Sequence, residues 1–107
     1  MAASVREVFE NMKEHFVPGM IDKDVSFYFS LGDGPGEKWT VFAGPKDCRV
    51  AEGKATENAD CVLKTSSDLF LKMVLEGYTP GVMDFTRGRI KSNNPEMLKT
   101  FREAFDY

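Results

Sequence analysis

From Val5 onward, Val5, Val8, Phe9, Met12 and Phe16 recur at helical spacing, with Ser4 and Glu7 placed as a capping box. This predicts an amphipathic helix over residues 5–16, stopped before Pro18-Gly19. Between Val25 and Leu31 the spacing changes to strict alternation, with Val25, Phe27, Phe29 and Leu31 separated by Ser26, Tyr28 and Ser30. That is a strand with one buried face. Gly32-Asp33-Gly34-Pro35-Gly36-Glu37 reads as a turn, and Trp39, Val41 and Ala43 alternate on the returning strand. Gly44-Pro45 turns the chain again into a third strand near residues 48–54, which gives an antiparallel meander.

Residues 61–65 suit a fourth short strand. Ser66-Ser67-Asp68 caps a helix over residues 68–76, with Gly77 as its stop. Thr79-Pro80 starts a short helix closed by Gly88, residues 89–92 suit a last strand, and Asn94-Pro95 opens a helix. In that last helix Met97, Leu98, Phe101, Ala104 and Phe105 form one apolar face. The chain reads as an α+β domain with a single five-stranded, mostly antiparallel sheet covered on one face by helices.

The stretch from Asn58 to Asn93 is rich in apolar surface and poor in catalytic groups. Its helix carries Leu69, Phe70, Leu71, Met73, Val74 and Leu75 around most of its circumference, so it needs cover on more than one side. Such a surplus can build a solid core or line a cavity, and the pattern alone leaves both open. Six methionines and nine phenylalanines suit an adaptable apolar site.

A length of 107 residues fits one domain. A net charge of -3 and a pI of about 5.1 argue against a nucleic-acid partner. The opening residues lead straight into the charged first helix, without a signal-peptide core, and no apolar run approaches the length that spans a bilayer. Cys48 and Cys61 have neither disulfide nor metal-site spacing and read as free thiols.

Candidate chemistry is sparse. His15 is the only histidine and has no nucleophile at helical spacing, so a hydrolase triad lacks parts. Asp33 with Glu37, and Glu7 with Glu10, lie in a polar turn and on a solvated helix face, where little would move their pKa values. Gly32, Gly34 and Gly36 lead into a strand, whereas phosphate loops lead into a helix N-terminus. Arg87, Arg89 and Lys91 form a small basic patch, read either as guards of an edge strand or as an anion contact.

Taken together, the first helix, Phe27-x-Phe29, Asp33-Gly-Pro-Gly36, Trp39 and Ala59-Asp60-Cys61 resemble the sterol carrier protein type 2 family. The match continues through Ser67-Asp68-Leu69-Phe70, Gly77, Thr79-Pro80 and Phe85-x-x-Gly88-Arg-Ile-Lys91. The resemblance implies an apolar tunnel between sheet and helices that binds or transfers fatty acids, fatty acyl-CoA, phospholipids or sterols, without chemistry or a cofactor. Its walls would come from Phe27, Phe29, Trp39 and Val41 on the sheet. Leu69, Phe70, Met73, Val74, Met83, Phe85, Met97, Phe101 and Phe105 would line the helical side, with Arg87 or Arg89 at a head group. Two departures stand out. Ser92-Asn93-Asn94-Pro95 replaces the usual glycine with Asn or Asp, and the last helix bears phenylalanines and charged neighbours where the family has small residues and glutamine.

A cytoplasmic stand-alone domain is expected, because Phe105-Asp106-Tyr107 is no peroxisomal tripeptide. Transient membrane contact and a homodimer both stay open. The alternative is a protein-interaction or regulatory module that uses the same groove for a partner or for self-association. A small lipid-directed enzyme ranks lower, since it would need Tyr28 or Tyr78 beside a buried carboxylate.

Overall fold

The computed structural model describes residues 5–32, 36–76, 78, 81–94 and 96–105. Strands β1 (Val25–Ser30), β2 (Lys38–Ala43), β3 (Cys48–Glu52), β4 (Cys61–Lys64) and β5 (Lys91–Ser92) form one sheet in the order β3-β2-β1-β4-β5. β1 to β3 make the expected antiparallel meander, and β5 pairs antiparallel with β4. The β1–β4 pair is parallel, so the sheet is mixed. Its register places Phe27 beside Val41 and Cys61, and Phe29 beside Trp39 and Leu63. Alternation then sends this whole row to one face.

That face carries the helices. Phe9 of α1 (Val5–Glu10), Phe70 of α3 (Ser67–Leu75) and Phe101 of α5 (Glu96–Ala104) all touch Phe29. Ser66 caps α3 by accepting the Leu69 N–H at 3.1 Å, as the sequence predicts. The apolar face of α5 is also as predicted, with Leu98, Phe101 and Ala104 buried.

Other elements depart from expectation. The first helix is interrupted at Asn11, a poor helix former, and α2 (Met12–His15) follows it. Phe16 is extended rather than helical: it bridges Phe105, and Val17 donates to the Ala104 carbonyl at 2.7 Å. Val17 also precedes Pro18, which disfavours helix there. β3 ends at Glu52 because Gly53 turns left-handed, at φ 84°. The last strand starts only at Lys91, since the Arg89 and Ile90 amides donate to the Asp84 carbonyl at 2.9 and 3.3 Å. The short helix α4 (Val82–Thr86) begins at Gly81, and the proposed Thr79-Pro80 start lies outside the described residues. So do Ser4 of the first capping box, the Gly77 stop, Pro95 and most of the Asp33-Gly34-Pro35-Gly36 turn. Leu75 on α3 is 43% exposed, so that helix is covered less completely than its sequence demands.

The opposite sheet face is covered differently. Residues 53–60 connect β3 to β4 by crossing it, because two parallel strands cannot be joined by a tight turn. Thr40 hydroxyl donates to the Gly53 carbonyl at 2.7 Å and accepts from the Ala55 amide at 3.0 Å, which explains a threonine with no exposure. Lys54 lies over the Tyr28 ring, and Asp60 accepts from the Ser26 amide at 2.9 Å. Among the described residues no helix is long and apolar enough to cross a membrane.

Candidate functional site

Between the sheet and the helices lies a continuous layer of aromatic rings. Phe9 is sandwiched between Trp39 and Phe70, with centroids 4.9 and 5.3 Å away and planes nearly parallel at 7° and 6°. Phe29 touches Phe9, Phe70 and Phe101 at 5.4, 5.4 and 5.0 Å. Phe101 carries the chain of contacts to Phe27 and Phe105 at 5.3 and 4.9 Å. Such pairs favour the offset and edge-on arrangements seen here.

Most of the anticipated wall residues meet in this layer. Phe27, Phe29, Trp39, Val41, Phe70, Met73, Phe101 and Phe105 are buried together, and Leu69, Val74, Phe85 and Met97 pack half-buried against them. Met83 does not join them, being 57% exposed. Phe9 is the contributor that sequence reading left out of the wall. Its signal was present in the Val5, Val8, Phe9, Met12 stripe, which was read only as the inner face of a helix.

The layer has a polar edge at Trp39. Its indole N–H donates to the Gly36 carbonyl at 2.8 Å, and the Arg6 guanidinium lies over its ring at 5.5 Å while pairing with Glu52 at 3.2 Å. The two cysteines are free. Burial pushes both thiols up, which lowers their thiolate fraction and hence their reactivity.

One polar cluster answers the requirement of a tyrosine beside a buried carboxylate. Asp84 is 6% exposed and accepts from the Tyr78 hydroxyl at 2.6 Å and the Gly81 amide at 2.9 Å, with Arg89 at 3.7 Å. The Tyr78 hydrogen bond, followed by that from Gly81, holds the Asp84 carboxyl below its ordinary range. The same bond to Asp84 raises the Tyr78 hydroxyl. These shifts make Asp84 a weaker base and Tyr78 a weaker acid, so the pair is tuned away from proton transfer near neutrality. Its geometry is that of a staple holding the start of α4. Arg87 and Arg89, the proposed head-group contacts, are exposed beside it.

A separate groove of about 330 Å³ opens on the loop-covered sheet face, lined in part by Asp24, Ser26, Phe42, Asp47, Arg49 and Asp60. Three carboxylates make it a poor hydrocarbon site, and it contains none of the anticipated wall residues. Among the described residues no group of three His, Cys, Asp or Glu could hold a metal ion.

No family profile and no curated protein matches the chain. Solved structures do. The stereoselective inverting sec-alkylsulfatase Pisa1 from Pseudomonas sp. superposes with a TM-score of 0.80 at 12% identity, over 99% of this chain and 17% of that one. The apo form of sterol carrier protein 2 from Yarrowia lipolytica superposes with a TM-score of 0.55 at 19% identity, over 99% of this chain and 80% of that one. The fold is that of sterol carrier protein 2. In this sterol-carrier-like fold the ring layer occupies the space between the sheet and α1, α3 and α5. The chain spans about a sixth of the length of the sulfatase that it matches.

Proposed function

We propose that this domain binds and transfers a single-chain amphiphile, such as a fatty acid or fatty acyl-CoA, by admitting its hydrocarbon chain between the sheet and the helices. The observation that carries this reading is the ring layer itself, buried between two layers of secondary structure in a sterol-carrier-like fold. Entry requires ring pairs to part, at roughly 0.5–1.5 kcal/mol each. Burying a chain of about sixteen carbons offers on the order of 12 kcal/mol of gross driving force, at about 0.8 kcal/mol per methylene. The exchange therefore favours entry even after several ring contacts and the cost of association are subtracted. The domain itself does no chemistry on the ligand. A cytoplasmic setting suits the free thiols.

The likeness to a segment of an alkylsulfatase favours a related second reading, in which the domain holds the alkyl chain of an amphiphile for a catalytic partner. Both readings call for the same interlayer site. Native mass spectrometry of protein purified without detergent should find a retained lipid. Fatty acids, acyl-CoA or a medium-chain secondary alkyl sulfate should raise the melting temperature. Absence of both effects would contradict lipid binding, and sulfate release from the alkyl sulfate by this chain alone would contradict the noncatalytic role.

A further inference from the structure

Helix α4 is built inside out. Its inward position is taken by a carboxylate, Asp84, at 6% exposure, while Val82 and Met83 stand 80% and 57% exposed. At 100° per residue Val82 lies nearly opposite Asp84, so the buried anchor itself turns the apolar side chain to solvent. A buried polar group paired with exposed apolar neighbours reverses the ordinary rule for a surface helix. The arrangement is fixed from three directions. Tyr78 and Gly81 donate to Asp84 from the chain before α4, and Arg89 pairs with it from the chain after.

The same anchor gathers more apolar surface. Tyr78, 38% exposed, is tied to the end of α3 by its amide, which donates to the Lys72 carbonyl at 3.1 Å, and Leu75 there is 43% exposed. Charge around this corner is biased. Lys72, Arg87, Arg89 and Lys91 face the two carboxylates Glu76 and Asp84, and Asp84 is already engaged, in a chain whose net charge is -3. The basic flank also carries a local cost. Lys91 of β5 sits directly opposite Lys64 of β4, both exposed, and like charges paired across strands destabilise a sheet. An external anion would relieve that repulsion. Apolar side chains at a tip, with cations beside them, are what a peripheral protein presents to an anionic lipid surface.

We propose that the α4 corner, with Val82, Met83, Leu75 and Tyr78 as its apolar tip and Arg87 and Arg89 as its cationic rim, docks the domain on an anionic membrane. This partner assignment rests on the lipid-transfer reading, because a carrier must meet a bilayer to load and unload. Staple and ligand site have separate tasks: Asp84 fixes what faces the membrane, and the ring layer takes what leaves it.

The test is co-sedimentation of the full chain with vesicles of phosphatidylcholine alone or with about a third phosphatidylserine. Binding should need the anionic lipid and fall steeply as salt rises from about 0.05 to 0.5 M. Val82→Asp should weaken binding roughly tenfold or more, as expected for losing one buried aliphatic side chain. Arg87→Glu should weaken it about fivefold or more per cation lost. Retained lipid, read by native mass spectrometry, should be unchanged in Val82→Asp, which separates failure of docking from failure of lipid binding. Equal binding to both vesicle types, or undiminished binding by Val82→Asp, would overturn the proposal. So would a dimer that Val82→Asp converts to monomer, since the tip would then be covered by a second copy.

Discussion

The two faces of the sheet are covered by different physics. On one, α1, α3 and α5 lay rings against Phe27, Phe29 and Trp39, and the contacts are apolar and weakly directional. On the other, residues 53–60 are held by specific hydrogen bonds, from Thr40 to Gly53 and Ala55 and from Ser26 to Asp60. Apolar contacts with rings can be exchanged for contacts with a ligand's methylenes at little loss. Hydrogen bonds of fixed geometry cannot, because each parted donor or acceptor is left unpaired. The loop-covered face therefore keeps the sheet rigid, while the helix-covered face is the one able to open.

The sharpest way to break this comparison is to remove a ring at its centre. Phe29→Ala should cost about 3–5 kcal/mol in urea unfolding, as truncation of a buried aromatic does. A loss below about 1 kcal/mol would mean that the layer is not close-packed around Phe29. Thr40→Val, nearly isosteric, should cost about 1–3 kcal/mol by leaving the Ala55 amide and the Gly53 carbonyl unpaired. Its lipid uptake should stay at the wild-type level, since the hydroxyl serves the opposite face. Loss of uptake in Thr40→Val at a temperature where it is folded would show that the faces are not independent.

A smaller effect is expected at the Asp84 staple, which belongs to neither face. Its carboxyl is lowered in the folded protein, so its contribution is present above the ordinary carboxylate range and fades as pH falls through the lower folded value. Tyr78 is raised, so its share is present below the ordinary tyrosine range and fades as pH rises through the higher folded value. Asp84→Asn should flatten the acid side of a plot of melting temperature against pH, and Tyr78→Phe the alkaline side. Unchanged profiles in both variants would show that the pair adds nothing to folding.

Much of the helix-covered face was legible in the sequence, because strand alternation and helical stripes are local signals. Phe27, Phe29 and Trp39 declare their side by period two, and Phe101 and Phe105 by their spacing along one helix. The loop-covered face was not legible. That Thr40 is buried depends on a crossover whose path follows from the parallel pairing of β1 with β4, a long-range choice with no mark near Thr40. The α4 corner was misread for the opposite reason. Met83 was assigned inward because apolar residues usually point in, whereas the buried Asp84, held by Tyr78 and Gly81, had already taken that position. Interruption of the first helix at Asn11 and the bridge from Phe16 to Phe105 likewise depend on where the C-terminal helix docks.

Trp39 is the chain's only tryptophan, and it stacks on Phe9 inside the ring layer. Titration with a brominated long-chain fatty acid, a contact quencher of indole emission, therefore reads hydrocarbon entry at the place where it is claimed to occur. Saturable quenching at a single equivalent, reversed by the unbrominated acid and unchanged in Thr40→Val, is the predicted result. Binding of the fatty acid by mass spectrometry with Trp39 emission undiminished would place the ligand elsewhere and contradict the account.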